Sequence, residues 1–266
     1  MNKLKLLSQT YIKIILIIAI IIGVFSIFQY KKYMDINVMT FEDKNFERLV
    51  RNTINKPKGH ILKKDLENTK KLYANFGSPL ANLNAHIDFK ITNLDGIQYF
   101  KNLETVLLSG NNIKDISPLS SLSNLKHLDI SSNIELTDIS PLSNLSKLEY
   151  LDISSMKELT DISPLSKLTK LEYLDAVDNK IKDVSPLATL PNIKTLELSI
   201  NEIEDISSLN KLSSLKNLHL GANKIKDVRP LSNMTGLKEL SLEKNLIDDF
   251  SPLNGLKSVK ITKQLL

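Results

Sequence analysis

The segment D-[IVF]-x-P-L returns along this chain at almost constant intervals. It occurs at Asp115 to Leu119, Asp138 to Leu142, Asp161 to Leu165, Asp183 to Leu187, Asp205 to Leu209 (Ser208 in the proline place), Asp227 to Leu231 and Asp249 to Leu253. The spacings are 23, 23, 22, 22, 22 and 22 residues. One period further back, Leu94-Asp95-Gly96-Ile97 supplies an eighth copy with Gly in the proline place. Apolar residues keep fixed columns in each period: Phe100, Leu103, Val106, Leu108, Ile113 and Ile116 in one copy, and Leu190, Ile193, Leu196, Leu198, Ile203 and Ile206 four copies later. Neither the 3.6-residue helical period nor the two-residue strand period generates that set. A coil that closes every turn does, because each column then becomes one layer of a continuous core.

The polar columns have mechanical readings. Asn111, Asn133, Asn179, Asn201, Asn223 and Asn245 follow the L-x-L strand, where a side-chain amide can satisfy backbone groups that no ladder reaches. The Ser of each Ser-Pro pair, as in Ser117-Pro118, suits an N-cap with Pro opening one short helical or 3₁₀ turn. Met156 interrupts the Asn column. The coils of Asn133 and Met156 each carry one extra residue, so a local widening of the solenoid is expected there.

The motif L-x-x-L-x-L-x-x-N-x-I-x-D-I-x-P-L resembles the bacterial internalin-type leucine-rich repeat. The resemblance covers roughly Phe41 to the C-terminus. It implies a curved right-handed α/β solenoid with a parallel sheet on its concave face, short helical or 3₁₀ turns on its convex face, an extracytoplasmic location and protein recognition by the concave face. Residues 41–92 look like the family's N-terminal cap. In them Phe46, Leu49, Val50 and Ile54 recur at helical spacing, Asp43 stands where it can cap and Pro57 ends the segment. Asp65 to Ala74 reads as a helical turn entering a strand near Leu72, and Asn75 to Lys90 as an inserted loop. After Leu253 and Leu256 the pattern shortens to Val259-Lys260-Ile261. No immunoglobulin-like flanking domain or wall-anchoring tail is read in the sequence, which weakens the carry-over of a host-invasion role from the resemblance.

Ahead of the repeats, Ile14 to Phe28 is a charge-free apolar run between Lys3, Lys5, Lys13 and Lys31, Lys32. Extended from Tyr11 to Tyr30 it is long enough to span a bilayer, with a tyrosine at each interface. A cleaved signal sequence is the alternative. The nearest small-x-small site, Val24-Phe25-Ser26, lies inside the run and favours an uncleaved anchor. A buried soluble helix would need a partner covering an Ile-rich surface on every side. The division read is 1–10 tail, 11–30 anchor or signal sequence, 31–40 linker, 41–92 cap with its inserted loop and 93–266 repeats, and the lysine bias puts the tail in the cytoplasm and the repeats outside.

Charge follows the same division. Residues 1–40 carry five Lys against one Asp, residues 41–92 ten basic against six acidic groups, and the rest twenty basic against twenty-three acidic. The repeats are therefore no electrostatic platform for nucleic acid. The chain has no cysteine and four histidines, which excludes disulfides, thiolate nucleophiles and Cys-ligated zinc. No nucleophile elbow, phosphate loop or dinucleotide fingerprint occurs, so no cofactor and no catalysis are expected.

Residues flanking the central leucine of each strand point away from the core. One outward column reads Leu107, Asp129, Asp152, Asp175, Glu197, His219, Ser241; its neighbour reads Thr105, His127, Tyr150, Tyr173, Thr195, Asn217, Glu239. Four stacked carboxylates beside two tyrosines predict a partner-binding face formed by His127, Asp129, Tyr150, Asp152, Tyr173, Asp175, Glu197 and His219, with a basic protein as ligand. The competing reading is a solvated acidic strip screened by Lys126 and Lys194. Calcium between the carboxylates lacks the EF-hand loop spacing, and His127 and His219 lie too far apart to share a metal. Two further expectations are weighed: an envelope scaffold self-associating through an open strand edge near Val259 to Ile261, and a secreted internalin-like adhesion protein after signal cleavage.

Overall fold

The computed structural model describes residues 2–74 and 90–263. The loop read at Asn75 to Lys90, with His86, lies outside them except for Lys90. Nine strands, β1 (Lys71–Tyr73), β2 (Thr105–Leu107), β3 (His127–Asp129), β4 (Tyr150–Asp152), β5 (Tyr173–Asp175), β6 (Thr195–Glu197), β7 (Asn217–His219), β8 (Glu239–Ser241) and β9 (Lys260–Thr262), form one parallel sheet in chain order. The pairing is in register throughout: Val106, Leu128, Leu151, Leu174, Leu196, Leu218 and Leu240 stand side by side. Each crossover passes through a short 3₁₀ turn, such as Ser117–Ser121 or Ser163–Lys167, so the sheet forms the concave face and the turns the convex one. The fixed apolar columns are the core: Phe100, Leu103, Val106 and Leu108 are fully buried, as are Ile193, Leu196 and Leu198 four coils on.

Two local expectations are corrected. The Ser of Ser-Pro is the first residue of each 3₁₀ turn, and the residue in the cap position, Ile116 for instance, makes no side-chain bond. The Asp two residues before the Ser does the capping. Asp115 Oδ1 accepts from Ser117 N at 2.7 Å, and Asp138, Asp161, Asp183, Asp205, Asp227 and Asp249 repeat the contact. A carboxylate reaching the amide two positions on makes the Asx turn, which leaves Pro free to fix the following φ. The helical turn before β1 is α3 (Lys63–Leu66), ahead of the expected Asp65 start.

The cap opens on the expected helix. Helix α2 (Lys44–Thr53) buries Phe46, Leu49 and Val50. Asp43 Oδ1 accepts from Asn45 N and Phe46 N at 2.8 and 2.9 Å, while its Oδ2 accepts from Thr92 N, Thr92 Oγ1 and Asn93 N. Burial opposes the charge, but these donors outweigh it and hold the carboxyl below its ordinary value. Phe41 then lies over Gly96, where φ is 107° and a Cβ would fall 2.7 Å from the ring. That explains glycine in the proline place of the first copy: a side chain there would lift the cap off the first coil.

Ahead of the cap, helix α1 runs from Asn2 to Asn37, through the segment read as a linker. Lys13–Asn37 is long and apolar enough to cross a membrane by length and composition. The chain passes directly from α1 into the cap: Val38 bridges Leu62, and Met39 N donates to Ile61 O at 2.8 Å.

One repeated feature is invisible in the consensus. The residue before each ladder position is left-handed: Gly110 (φ 69°), Ser132, Ser155, Asp178, Ile200 (φ 58°), Ala222 and Lys244. Only the first is glycine. A β-branched side chain at positive φ is strained by about 1–2 kcal/mol. Ile200 is 52% exposed, so it recovers little of that by burial. Ile200→Asn, which tolerates this conformation, should raise the unfolding free energy by about 1 kcal/mol in equilibrium denaturation of the full chain. A destabilised variant would show that Ile200 is not strained.

Candidate functional site

Because β3 to β7 are parallel and in register, identical columns must stack at about the inter-strand distance of ~4.8 Å. Asp129 faces Asp152, Asp152 faces Asp175, Asp175 faces Glu197 and Glu197 faces His219. In the adjacent column His127 faces Tyr150, and Tyr150 faces Tyr173. The tyrosine rings lie 4.6 Å apart and 4° from parallel, and His127 extends the stack at 6.0 Å and 22°. All eight residues singled out from the sequence therefore share one face: His127 is exposed and the other seven are half-buried.

The carboxylates are held by the next residue on the same face. Asp129 Oδ1 accepts from Ser131 N at 3.0 Å and Oγ at 2.6 Å; Asp152 Oδ1 accepts from Ser154 N at 2.9 Å and Oγ at 2.7 Å. Asp175 has, among the described residues, only the Val177 amide, at 3.0 Å. Ser131 and Ser154 join the eight residues of the sequence reading, and the spacing in Asp129-Ile130-Ser131 and Asp152-Ile153-Ser154 is the signal of this local turn. One oxygen of each Asp is thus fixed in place, which orients the side chain along the face.

Electrostatically the ladder is under stress. Burial, reinforced by the charges of Asp175 and Asp129, pushes Asp152 up to about 6 against the bonds from Ser154. Burial and then Glu197 and Asp129 raise Asp175. Burial also raises Glu197, with His219 opposing and Glu239 adding to the effect; His219 Nε2 lies 3.6 Å from its carboxylate. The same burial and neighbouring carboxylates lift the Tyr150 hydroxyl to about 12 and raise Tyr173, so both remain neutral donors. The lysines expected to screen the ladder are engaged elsewhere. Lys126 pairs with Glu104 at 3.1 Å and Lys194 with Glu172 at 2.6 Å, in the charged column on the other side of the tyrosines. Among the described residues no cluster suited to a metal ion occurs.

Segments 101–144 and 123–167, which overlap, and 169–211 and 213–255 match the model for leucine-rich repeats in two copies. No curated protein matches significantly by sequence. Among solved structures, internalin C2 from Listeria monocytogenes is 31% identical, covers 84% of this chain and 94% of its own, and superposes with a TM-score of 0.73. An internalin, inlF, from the same organism is 34% identical over 85% of this chain and 69% of its own, with a TM-score of 0.66. A leucine-rich-repeat protein from Leptospira interrogans, 21% identical over 64% of this chain and 51% of its own with a TM-score of 0.54, shares the fold. The solenoid with its repeat register is that of a leucine-rich-repeat protein, an architecture suited to binding other proteins. More narrowly, the chain belongs to the bacterial internalin-type leucine-rich-repeat family.

Proposed function

We propose that the chain is a membrane-tethered, outward-facing binding module that takes a basic protein segment onto the concave face formed by His127, Asp129, Tyr150, Asp152, Tyr173, Asp175, Glu197 and His219. The supporting observation is the pairing of a carboxylate ladder with a parallel tyrosine stack, while the nearby lysines are tied to other acids. A guanidinium can lie on the Tyr173 face that turns from Tyr150 towards Thr195 and reach the free carboxylate oxygens beside it, which combines cation–π attraction with charge-assisted hydrogen bonding. Helix α1 supplies the tether, with residues 1–10 inside, 11–30 spanning and the repeats outside. No catalytic step is assigned to the chain. The secreted form would follow only from cleavage within the apolar run.

Titration of the full chain with an arginine-rich peptide tests this. Asp152→Asn/Asp175→Asn should weaken binding about tenfold and flatten its salt dependence. Unchanged affinity and an unchanged salt slope would reject the acidic-face mechanism.

Self-association through the C-terminal edge is the weaker reading. The outer edge of β9 pairs with no strand among the described residues, yet Lys260 opens the strand and Lys263 follows it, and edge lysines are a common device against strand addition.

A further inference from the structure

Excess positive charge in the cap is left unused by the concave face. Lys56 to Lys64 (KPKGHILKK) carries four lysines, a histidine and no acid. This segment is built rather than loose. Arg51, itself paired with Glu47, donates through Nη1 to Lys56 O at 3.2 Å and Gly59 O at 3.0 Å; Lys56 pairs with Asp65; Ile61 is buried. Lys63 sits over the Tyr99 ring at 4.7 Å. Lys58, His60 and Lys64 remain exposed to solvent.

The position of the segment gives that charge a use. Leu62 bridges Val38 and Ile61 O accepts from Met39 N, so the basic segment is stitched to the residues that leave α1. From Tyr30, the outer interface residue of the anchor reading, to Asn37 the helix rises about 10 Å. The headgroup region is roughly 5–8 Å deep on each side of the hydrocarbon, and charge is felt for a further ~8 Å at physiological salt. Exposed Lys31 and Lys32 occupy the intervening turn.

We infer that Lys31, Lys32, Lys58, His60 and Lys64 form a collar for the phosphate headgroups of anionic phospholipids, seating the cap on the membrane surface. This rests on the reading of α1 as a membrane anchor. With the helix entering the cap without a linker, a seated collar would fix how the solenoid stands on the bilayer and hold the concave face at a set inclination.

The test is amine labelling of the full chain in nanodiscs of phosphatidylcholine alone or mixed with phosphatidylglycerol, read residue by residue by mass spectrometry. Labelling of Lys58 and Lys64 should fall at least threefold in the anionic discs and recover at high salt, while the distant exposed Lys211 is unaffected. In Lys31→Gln/Lys32→Gln the protection of Lys58 and Lys64 should weaken. Equal labelling in both discs, or equal protection in both, overturns the collar and leaves the anchor standing. A chain that does not enter either disc overturns the anchor, and the collar with it.

Discussion

Replacing Asn201 with alanine should lower the unfolding free energy by about 3 kcal/mol. The amide is buried; its Oδ1 accepts from Ile181 N at 3.0 Å, and its Nδ2 donates to Ala176 O at 2.9 Å and Leu198 O at 3.1 Å. The two carbonyls are shared with other rungs, since Asn179 also donates to Ala176 O and Asn223 to Leu198 O. The Ile181 amide has no second acceptor among the described contacts, so truncation orphans a buried N–H, at ~1–3 kcal/mol, and weakens two further bonds at ~0.5–1.5 kcal/mol each. Asn179 supplies an internal control. Its Oδ1 is buried without a partner among the described residues, because the coil before it carries Met156 and an extra residue, and the chain turns there through Lys157 at a φ of 67°. The Asn179→Ala variant should therefore cost about 1–2 kcal/mol less than Asn201→Ala in equilibrium denaturation. Equal losses would mean that the ladder acts through packing volume and not through its hydrogen bonds.

The same comparison shows what a one-dimensional pattern reveals and what it conceals. Columns that repeat every 22 or 23 residues dictate stacked neighbours, so the core, the Asn ladder and the register of Asp129, Asp152 and Asp175 could all be read before any coordinates. The pattern does not rank two polar residues that could serve one local purpose. Asp115 and Ser117 both suit a turn start, and geometry selects Asp115 because its carboxylate reaches the amide two residues on. Nor does it display backbone handedness where side chains vary freely: Ser132, Asp178, Ile200 and Lys244 share one conformation and no chemistry. Pairing across columns is hidden for a related reason. Lys126 is next to His127 in sequence, but it lies just ahead of β3, where a period of 22 puts Glu104 beside it. The helix also continues through 31–37, the first part of the segment read as a linker, because Lys and Met extend a helix as readily as Lys solvates a loop.

Asp152→Asn should stabilise the fold near pH 7.5, and that gain is the sharpest separation between a binding face and a merely soluble one. Asn retains an oxygen for the Ser154 amide and hydroxyl while removing the charge that burial and the flanking Asp175 and Asp129 disfavour. The sign follows from linkage. A carboxyl raised from 3.8 to about 6 in the folded chain binds its proton more tightly there than in the unfolded chain. Its ionisation therefore costs stability above pH 6, and the cost fades as the pH falls towards 4. Discounted for partial solvent screening, the penalty at pH 7.5 is about 1–2 kcal/mol. The Asn variant should accordingly melt several degrees higher at pH 7.5 and within error of the parent at pH 4, with Asp175→Asn following the same direction. An Asp that served only solubility would be neutral or favourable to the fold, and its removal would leave the pH 7.5 transition unchanged or lower. A gain in stability accompanied by weaker binding of the arginine-rich peptide is the signature of carboxylates held ionised at the expense of the fold, whose repulsion a cationic ligand relieves.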